Sequence, residues 1–328
     1  METPPHRNRP PLRRRVATAA ALTALLFAGG ATAFADTTPQ LDMRPLVGSP
    51  TGWAATNGGT TGGGNGTVFN VDTAGELEDA VQSSGNAVVQ VNGVITISGM
   101  MDVASNKTII GVGSSSGIRG GGFDIDGVRN VIIQNLNFSN AADDSINVQD
   151  ASTNIWIDHN SFTNGYDGGV DIKRESDFIT VSWNRFYNHE KSMLLGHSDG
   201  HTADDGNLRV TYHHNFFDGS QTRHPRVRFG ETVHVYNNYY RDNEYGVAST
   251  MDAGVLVENN YFENVDEPTL VGYASSDDGR LVQRGNVFTG SGSPESAGSV
   301  ASLPYSYSLD NANNVPTIVR NGAGPGRI

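Results

Sequence analysis

The feature that most constrains this chain is a phrase that returns seven times. It reads VIIQNLNF (131–138), IWIDHNSF (155–162), ITVSWNRF (179–186), VTYHHNFF (210–217), VHVYNNYY (233–240), VLVENNYF (255–262) and LVQRGNVF (281–288). Each copy opens on alternating apolar residues, the pattern of a strand with one buried face. Then comes an Asn, and an aromatic residue two positions on. The Asn column is Asn160, Asn184, Asn215, Asn238, Asn260 and Asn286, with Leu136 in the equivalent place one turn earlier; the spacings are 24, 24, 31, 23, 22 and 26 residues. A period in the twenties with one strong strand per repeat predicts a solenoid. The absence of a helical pattern between the phrases argues against a leucine-rich horseshoe and a doubly wound sheet. The expected fold is all-β: a single-stranded parallel β-helix whose coils stack about 4.8 Å apart. An Asn at the same bend of every coil can bond the amide and backbone of its neighbour, satisfying buried polar groups. The aromatic column is expected to stack inside. A sandwich carrying coincident Asn-x-aromatic phrases is the competing reading.

A solenoid has to protect its ends. Thr73 and Glu76 make a capping-box pattern, followed by Leu77, Ala80 and Val81 on one helical face, so a short helix is expected to cover the N-terminal end. The stretches 88–97 and 108–113 read as the first coils. The tail from Gly290, rich in Gly, Ser, Pro and Asn, is expected to pack back along the outside and to end loosely. Residues 1–35 read as a secretory signal peptide: Arg7, Arg9 and Arg13 to Arg15, an apolar run from Val16 to Ala28, then Ala33-Phe34-Ala35 before Asp36. The apolar run is short of the roughly 20 residues that span a bilayer, so no membrane anchor is expected. The mature chain, 36–328, is expected to be one catalytic domain, exported and monomeric. Removing residues 1–35, with five arginines and one glutamate, takes the net charge from −13 to −17. That balance argues against nucleic acid or an anionic membrane as partner. There is no cysteine, so stability must come from a large core rather than disulfides.

Against this acidic background, QTRHPRVRFG (221–230) holds Arg223, Arg226 and Arg228 in six positions, in a chain with three lysines. Counting from the Asn column places it. Asp144 lies 8 beyond Leu136, Asp167 lies 7 beyond Asn160, Lys191 lies 7 beyond Asn184 and Arg223 lies 8 beyond Asn215. Equal offsets on stacked coils mean equal angular position, so these residues should line one outer strip about 15 Å long. Its N-terminal end is acidic, with Asp144, Asp167 and Asp171; its C-terminal end is basic, with Lys191, Arg223 and Arg228. Carboxylates from adjacent coils suit a hard cation, most simply Ca²⁺, with water or substrate oxygens completing the shell. Turn and strand-end roles are the competing reading of Asp167 and Asp171. Lys and Arg neutralise carboxylates, Arg often bidentately. A metal and a basic column side by side on an open strip point to an anionic polymer, an extracellular polyuronate. Val227 and Phe229 are expected to alternate inward while Arg226 and Arg228 face out; a structural ion pair is the expected role of Arg226.

The motifs NIWIDHNSF, YDGGVDIK, NHEKSMLLGHSD and TRHPRVRFG, in this order, resemble the pectate lyase family, and the resemblance runs from about GWAATNGGTTGG onward. It implies a right-handed parallel β-helix and cleavage of de-esterified pectin, polygalacturonate, by β-elimination with Ca²⁺. It also implies that Asp144, Asp167 and Asp171 are calcium ligands, with Asp143 standing directly before the first. Lys191 and Arg228 would bind substrate carboxylates and Arg223 would be the Brønsted base. Arginine is an unusual base, because the side chain normally stays protonated; adjacent positive charges would favour losing the proton, and an alkaline optimum is expected.

Other readings compete. Ala-Asp143-Asp144 resembles the paired-carboxylate region of polygalacturonases, but the Gly-His-Gly and Arg-Ile-Lys motifs that should follow are absent. Pectin lyase, acting on methylated polymer without calcium, typically has Arg where Asp171 stands here. A β-helix adhesin would leave the Lys191 and Arg223 column unexplained. His197, His201, His213 and His214 could bind a transition metal, but the first two fall in the loop that makes the 31-residue spacing, and a structural reading is preferred. His159 and Trp156 are read as structural, with Trp156 on the inward alternation.

Overall fold

The structure is a computed structural model that describes residues 48–328; the proposed signal peptide lies outside the described residues. The chain winds as a parallel β-helix. The first face is a ten-stranded parallel sheet running Thr67–Val71, Ala87–Val91, Lys107–Gly111, Arg129–Gln134, Thr153–Asp158, Asp177–Ser182, Val210–His213, Val233–Tyr236, Gly254–Glu258 and Arg280–Arg284. These strands are the recurring phrases plus three earlier coils. The second face follows the Asn bend, in Asn137–Ser139, Ser161–Thr163, Arg185–Tyr187 and Phe216–Asp218. The third is built from Ile146–Gln149, Val170–Ile172, Met193–Leu195 and Arg226–Arg228. Two long strands, Gly117–Asp126 and Tyr239–Thr250, run along both of these faces and bracket the coils between them.

The Asn column forms as expected. Asn160, Asn184, Asn215, Asn238 and Asn260 are fully buried. From Asn184 onward each Oδ1 accepts from the backbone and side-chain amides of the residue before it, as Asn215 does from Asn184 N and Nδ2, both at 3.1 Å, while Asn160 Oδ1 accepts, among the described residues, from Leu136 N alone. Each Nδ2 donates to a carbonyl of the first face, as Asn215 does to Val181 O at 2.9 Å. Thus every bend carries its own polar satisfaction into the next coil, and a buried turn is tolerated without water. Next to it Phe138, Phe162, Phe186, Phe217, Tyr240 and Phe262 stack with ring centroids 4.3 to 5.3 Å apart. Offset stacking at this repeat matches the coil spacing, so packing and hydrogen bonding enforce one register.

The N-terminal helix Ala74–Gln82 is present, with Thr73 and Glu76 in a capping box and Leu77, Ala80 and Val81 fully buried over the coil end. Three expectations are corrected. A coil, Thr67–Val71, precedes the first one expected, without an Asn phrase to announce it. Trp156 faces away from the barrel interior: its neighbours Ile155 and Ile157 are the core residues, while Trp156 is buried from outside with Ala54 and Ile132. The segment Gly52–Ala55 lies on that face and covers it, so burial there comes from a later layer rather than from alternation. The tail does pack along the outside, but its end is tied down. Tyr305 Oη meets Thr211 Oγ1 at 2.8 Å, and the helix Val315–Gly322 buries Val315 and Val319 against Phe216 and Tyr239. Gly324 N then donates to Trp183 O and Gly326 N to Asn135 Oδ1.

Candidate active site

The third face and the turns leading into it gather the acidic residues and Arg223 in a cleft of about 460 Å³, lined by Asp124, Asp143, Asp144, Asp167, Asp171, Lys173 and Arg223 among others, while Lys191 and Arg228 stand outside its lining. Asp144 and Asp171 are nearly inaccessible, at 6% and 3% of their free surface. Asp144 Oδ1 accepts from Gly168 N at 2.8 Å, and Asp171 Oδ1 accepts from Leu194 N at 3.0 Å, so each is fixed by the backbone of the next coil. Gly168 is required between them: a Cβ there would lie 2.1 Å from Asp171 Oδ1 and 2.8 Å from Asp144 Oδ1. Burial pushes the Asp171 carboxyl up to about 8, with the Asp144 charge adding to it. Burial likewise raises Asp144 to about 6, with Lys173 opposing. Two desolvated carboxylates side by side are an unstable charge arrangement on their own.

Asp167 lies on the turn above them. Its Oδ1 is buried without a hydrogen-bond partner, yet sits 3.3 Å from Lys191 Nζ and 3.5 Å from Arg223 Nη1. Arg223 Nη1 is also 3.9 Å from Asp171 Oδ2. The offset argument is accurate to about one residue: the bridge between coils pairs Lys191 with Thr222, the residue before Arg223. Arg223 has a left-handed backbone, φ 64°, which a non-glycine residue adopts only when its surroundings impose it. The imposing neighbours are visible. Arg223 O accepts from Met193 N at 2.7 Å, and the buried His224 bonds Ser220 and Tyr245 O. Arg223 is thereby turned out of the strand, toward the carboxylates.

Arg226 and Arg228 face outward from the next strand, and Val227 between them is fully buried, as expected. Phe229 is not core: it sits half-buried in a left-handed turn, φ 57°, where the strand has ended. Arg226 makes no ion pair among the described residues. Its guanidinium lies 5.0 Å from the Tyr273 ring centroid and Nη2 donates to Ser276 Oγ at 2.9 Å. Arg228 is the one with an acid, Asp199, 2.5 Å from its Nε.

The donor set fits a hard divalent cation. Asp143, Asp144 and Asp167 each offer a carboxylate oxygen within 4.8 Å of one another, and Asp171 approaches Asp144 over Gly168. All are oxygen donors, and one is a buried oxygen with no hydrogen bond. Sequence reasoning missed Lys173, whose Nζ is 3.6 Å from Asp144 Oδ2, and Asp124, held by Asn147 Nδ2 at 2.8 Å. Asp124 pairs in register with Asn147, which pairs on its other side with Asp171, so the three stand in one column on successive coils. Its coil carries no Asn phrase from which to count, so only the pairing register could have found it. A second group, Glu175, His201 and Asp204, also falls within 4.8 Å. Here both Asp204 oxygens are used, by Glu175 N at 2.8 Å and His197 N at 2.9 Å, so it braces the long loop. His213 and His214 join Thr51 and Asp310 in a structural network on the opposite side.

Comparison with known proteins accords with this geometry. A family model described as pectate lyase matches residues 18–327. A pectate trisaccharide-lyase from Bacillus licheniformis is 37% identical over 298 residues, covering 84% of this chain and 86% of that protein. A pectate lyase from Emericella nidulans is 38% identical over 306 residues, covering 85% and 91%. Among solved structures, a pectate lyase from a Bacillus species, in complex with trigalacturonate, superposes with a TM-score of 0.77 at 35% identity, covering 85% of this chain and 99% of that one. With its parallel coils and its charged third face, the chain belongs to the pectate lyase family, and is a polysaccharide lyase.

Proposed function

We propose that the mature chain, residues 36–328, is a secreted, monomeric pectate lyase that cleaves α-1,4-polygalacturonate by Ca²⁺-dependent β-elimination. The observation that carries this reading is Arg223 held against Asp167 and Asp171 with Lys191 beside it, one arginine at the junction of an acidic and a basic group. Asp144, Asp167 and Asp171 would hold the cation, with Asp143 at its edge. A calcium ion bound there would supply positive charge to the uronate carboxylate and acidify the adjacent C5–H. Lys191 would neutralise the same carboxylate, and Arg228 would take a neighbouring one. Arg223 accepts the C5 proton. The C5–H electron pair becomes the C4–C5 double bond, and the C4–O bond breaks. The departing oxygen takes a proton from water. A cation held by Asp167 and Asp171 would take up the two carboxylates that Arg223 otherwise faces, leaving its guanidinium free to meet the substrate.

Retention of the acid at Asp171 speaks against pectin lyase. The test is incubation with polygalacturonate at alkaline pH, with calcium or with a chelator, following the ultraviolet absorbance of unsaturated product. Calcium-dependent absorbance is expected. Reducing sugar without absorbance would mean a hydrolase, and chelator-insensitive product from methylated pectin alone would mean a pectin lyase.

A further inference from the structure

Asp199 stands in the long loop after Gly196 and has no place in the chemistry above. Its Oδ1 accepts from Arg228 Nε at 2.5 Å and from Ser276 Oγ at 2.9 Å, and its Oδ2 lies 2.8 Å from the same hydroxyl. Ser276 also accepts from Arg226 Nη2 at 2.9 Å. Arg226 is pinned in turn by Tyr273, whose ring packs against Tyr245 at a tilt of 42° with centroids 4.7 Å apart. The loop of one coil and the turn at Tyr273–Ser276, three coils further on, are therefore joined across the two arginines by one carboxylate and one hydroxyl. The loop itself is fixed by the buried Asp204, which accepts from Glu175 N and His197 N.

The geometry at Arg228 decides what this does. Asp199 takes the Nε edge of the guanidinium. Nη1 has a long contact, 3.4 Å, with Gly196 O, and Nη2 has no hydrogen bond among the described residues. With the Nε edge taken, the end of the fork, Nη1 and Nη2, is the edge left to bind a carboxylate bidentately. A side chain with four rotatable bonds would otherwise sample many orientations, and ordering it on substrate binding would cost affinity. The three guanidinium groups of Arg223, Arg226 and Arg228 also repel one another, and a fixed anion on the far edge holds them together.

We propose that Asp199, braced by Ser276, is a positioning residue: it orients Arg228 so that the Nη end of its guanidinium faces the groove and reads a galacturonate carboxylate. This rests on the proposed function of the site. The reaction step is untouched by it, so the effect should appear in substrate binding and in discrimination for free carboxylate.

The test is a kinetic cycle on polygalacturonate and on highly methylated pectin. Asp199→Ala should raise KM on polygalacturonate about tenfold, near the value of one charge-assisted hydrogen bond, with kcat changed less than about threefold. Asp199→Asn keeps an acceptor for Nε and should fall between it and the parent enzyme, as should Ser276→Ala. In an Arg228→Ala background, Asp199→Ala should add nothing, because the residue it positions is gone. Preference for polygalacturonate over methylated pectin should narrow in Asp199→Ala. Additive effects in the cycle would overturn the proposal, as would equal losses on both polymers, which would mark loop collapse. A lowered KM would overturn it differently, showing Asp199 to be a competitor for Arg228. Absence of unsaturated product from the parent enzyme would instead defeat the function itself, a distinct result.

Discussion

The two ends of the charged strip differ in how their charges are balanced. At the basic end, Lys191 and Arg223 share Asp167, Arg228 holds Asp199, and Arg226 rests on an aromatic ring and a hydroxyl. At the acidic end, Asp144 and Asp171 are buried together, with Lys173 at 3.6 Å and Arg223 at 3.9 Å as their nearest cations. The basic end is thus assembled by the chain alone. The acidic end is held in an electrostatically costly form that a bound divalent cation would relieve. The backbone amides of Gly168 and Leu194 each fix one oxygen of these carboxylates, which would leave the other oxygens oriented for the proposed cation.

Four experiments would break or sharpen this contrast. The largest effect is expected from Arg223→Lys, which keeps the charge and loses the guanidinium. It should lower kcat on polygalacturonate about a thousandfold while leaving calcium affinity, read by calorimetry, within about threefold. Asp171→Asn should do the reverse at the acidic end. It should weaken calcium affinity about ten- to a hundredfold, yet raise the melting temperature of the chelator-treated protein above about pH 8, where a buried charge is removed. A lower melting temperature without metal would show that Asp171 is held by the fold rather than kept for a cation. An active Asp171→Ala beside an inert Arg223→Lys would sink the calcium assignment. Asn215→Ala touches neither end. It removes the bond to Val181 O and leaves the Asn184 amides without their acceptor, so stability should fall by about 2 kcal/mol or more in denaturant melts, with KM unchanged.

The smallest and most diagnostic effect is with pH. Asp144 and Asp171 have folded-state pKa values raised to about 6 and about 8 above the usual 3.8. In that window the folded chain binds more protons than the unfolded one, so their contribution is full below about pH 4 and is lost as pH rises through 6 to 8. Metal-free protein should therefore lose a few degrees of melting temperature between pH 5 and 8 by scanning calorimetry. Calcium should stabilise it more at pH 8 than at pH 5. A calcium effect that does not grow over this interval would separate the ion from these two carboxylates.

Much of this was legible in the chain. The Asn phrases located seven coils, and the offsets from them located Asp144, Asp167, Lys191 and Arg223 on one edge. The reason is physical: stacked coils convert sequence offset into angular position, and side-chain alternation converts parity into inside or outside. What escaped was not periodic. Asp124 lies in a coil without an Asn phrase, Lys173 follows the strand end, and Trp156 is buried by a segment a hundred residues away. Arg226 could not be assigned a partner because Tyr273 and Ser276 stand fifty residues on, in a turn with no fixed place in the repeat.

The sequence by itself determined the coil, because each repeat satisfies its own bend and hands one Asn and one ring to the next, a strictly local rule repeated. It also determined which charges share an edge. Only the tertiary structure decided which of those charges are paired and which are left for a ligand. That depends on where loops of unequal length return, and therefore on contacts such as Asp199 with Arg228 and Ser276 that no repeat specifies. Periodic hydrogen bonding fixes the scaffold; the energy balance at the site is set by the excursions from it.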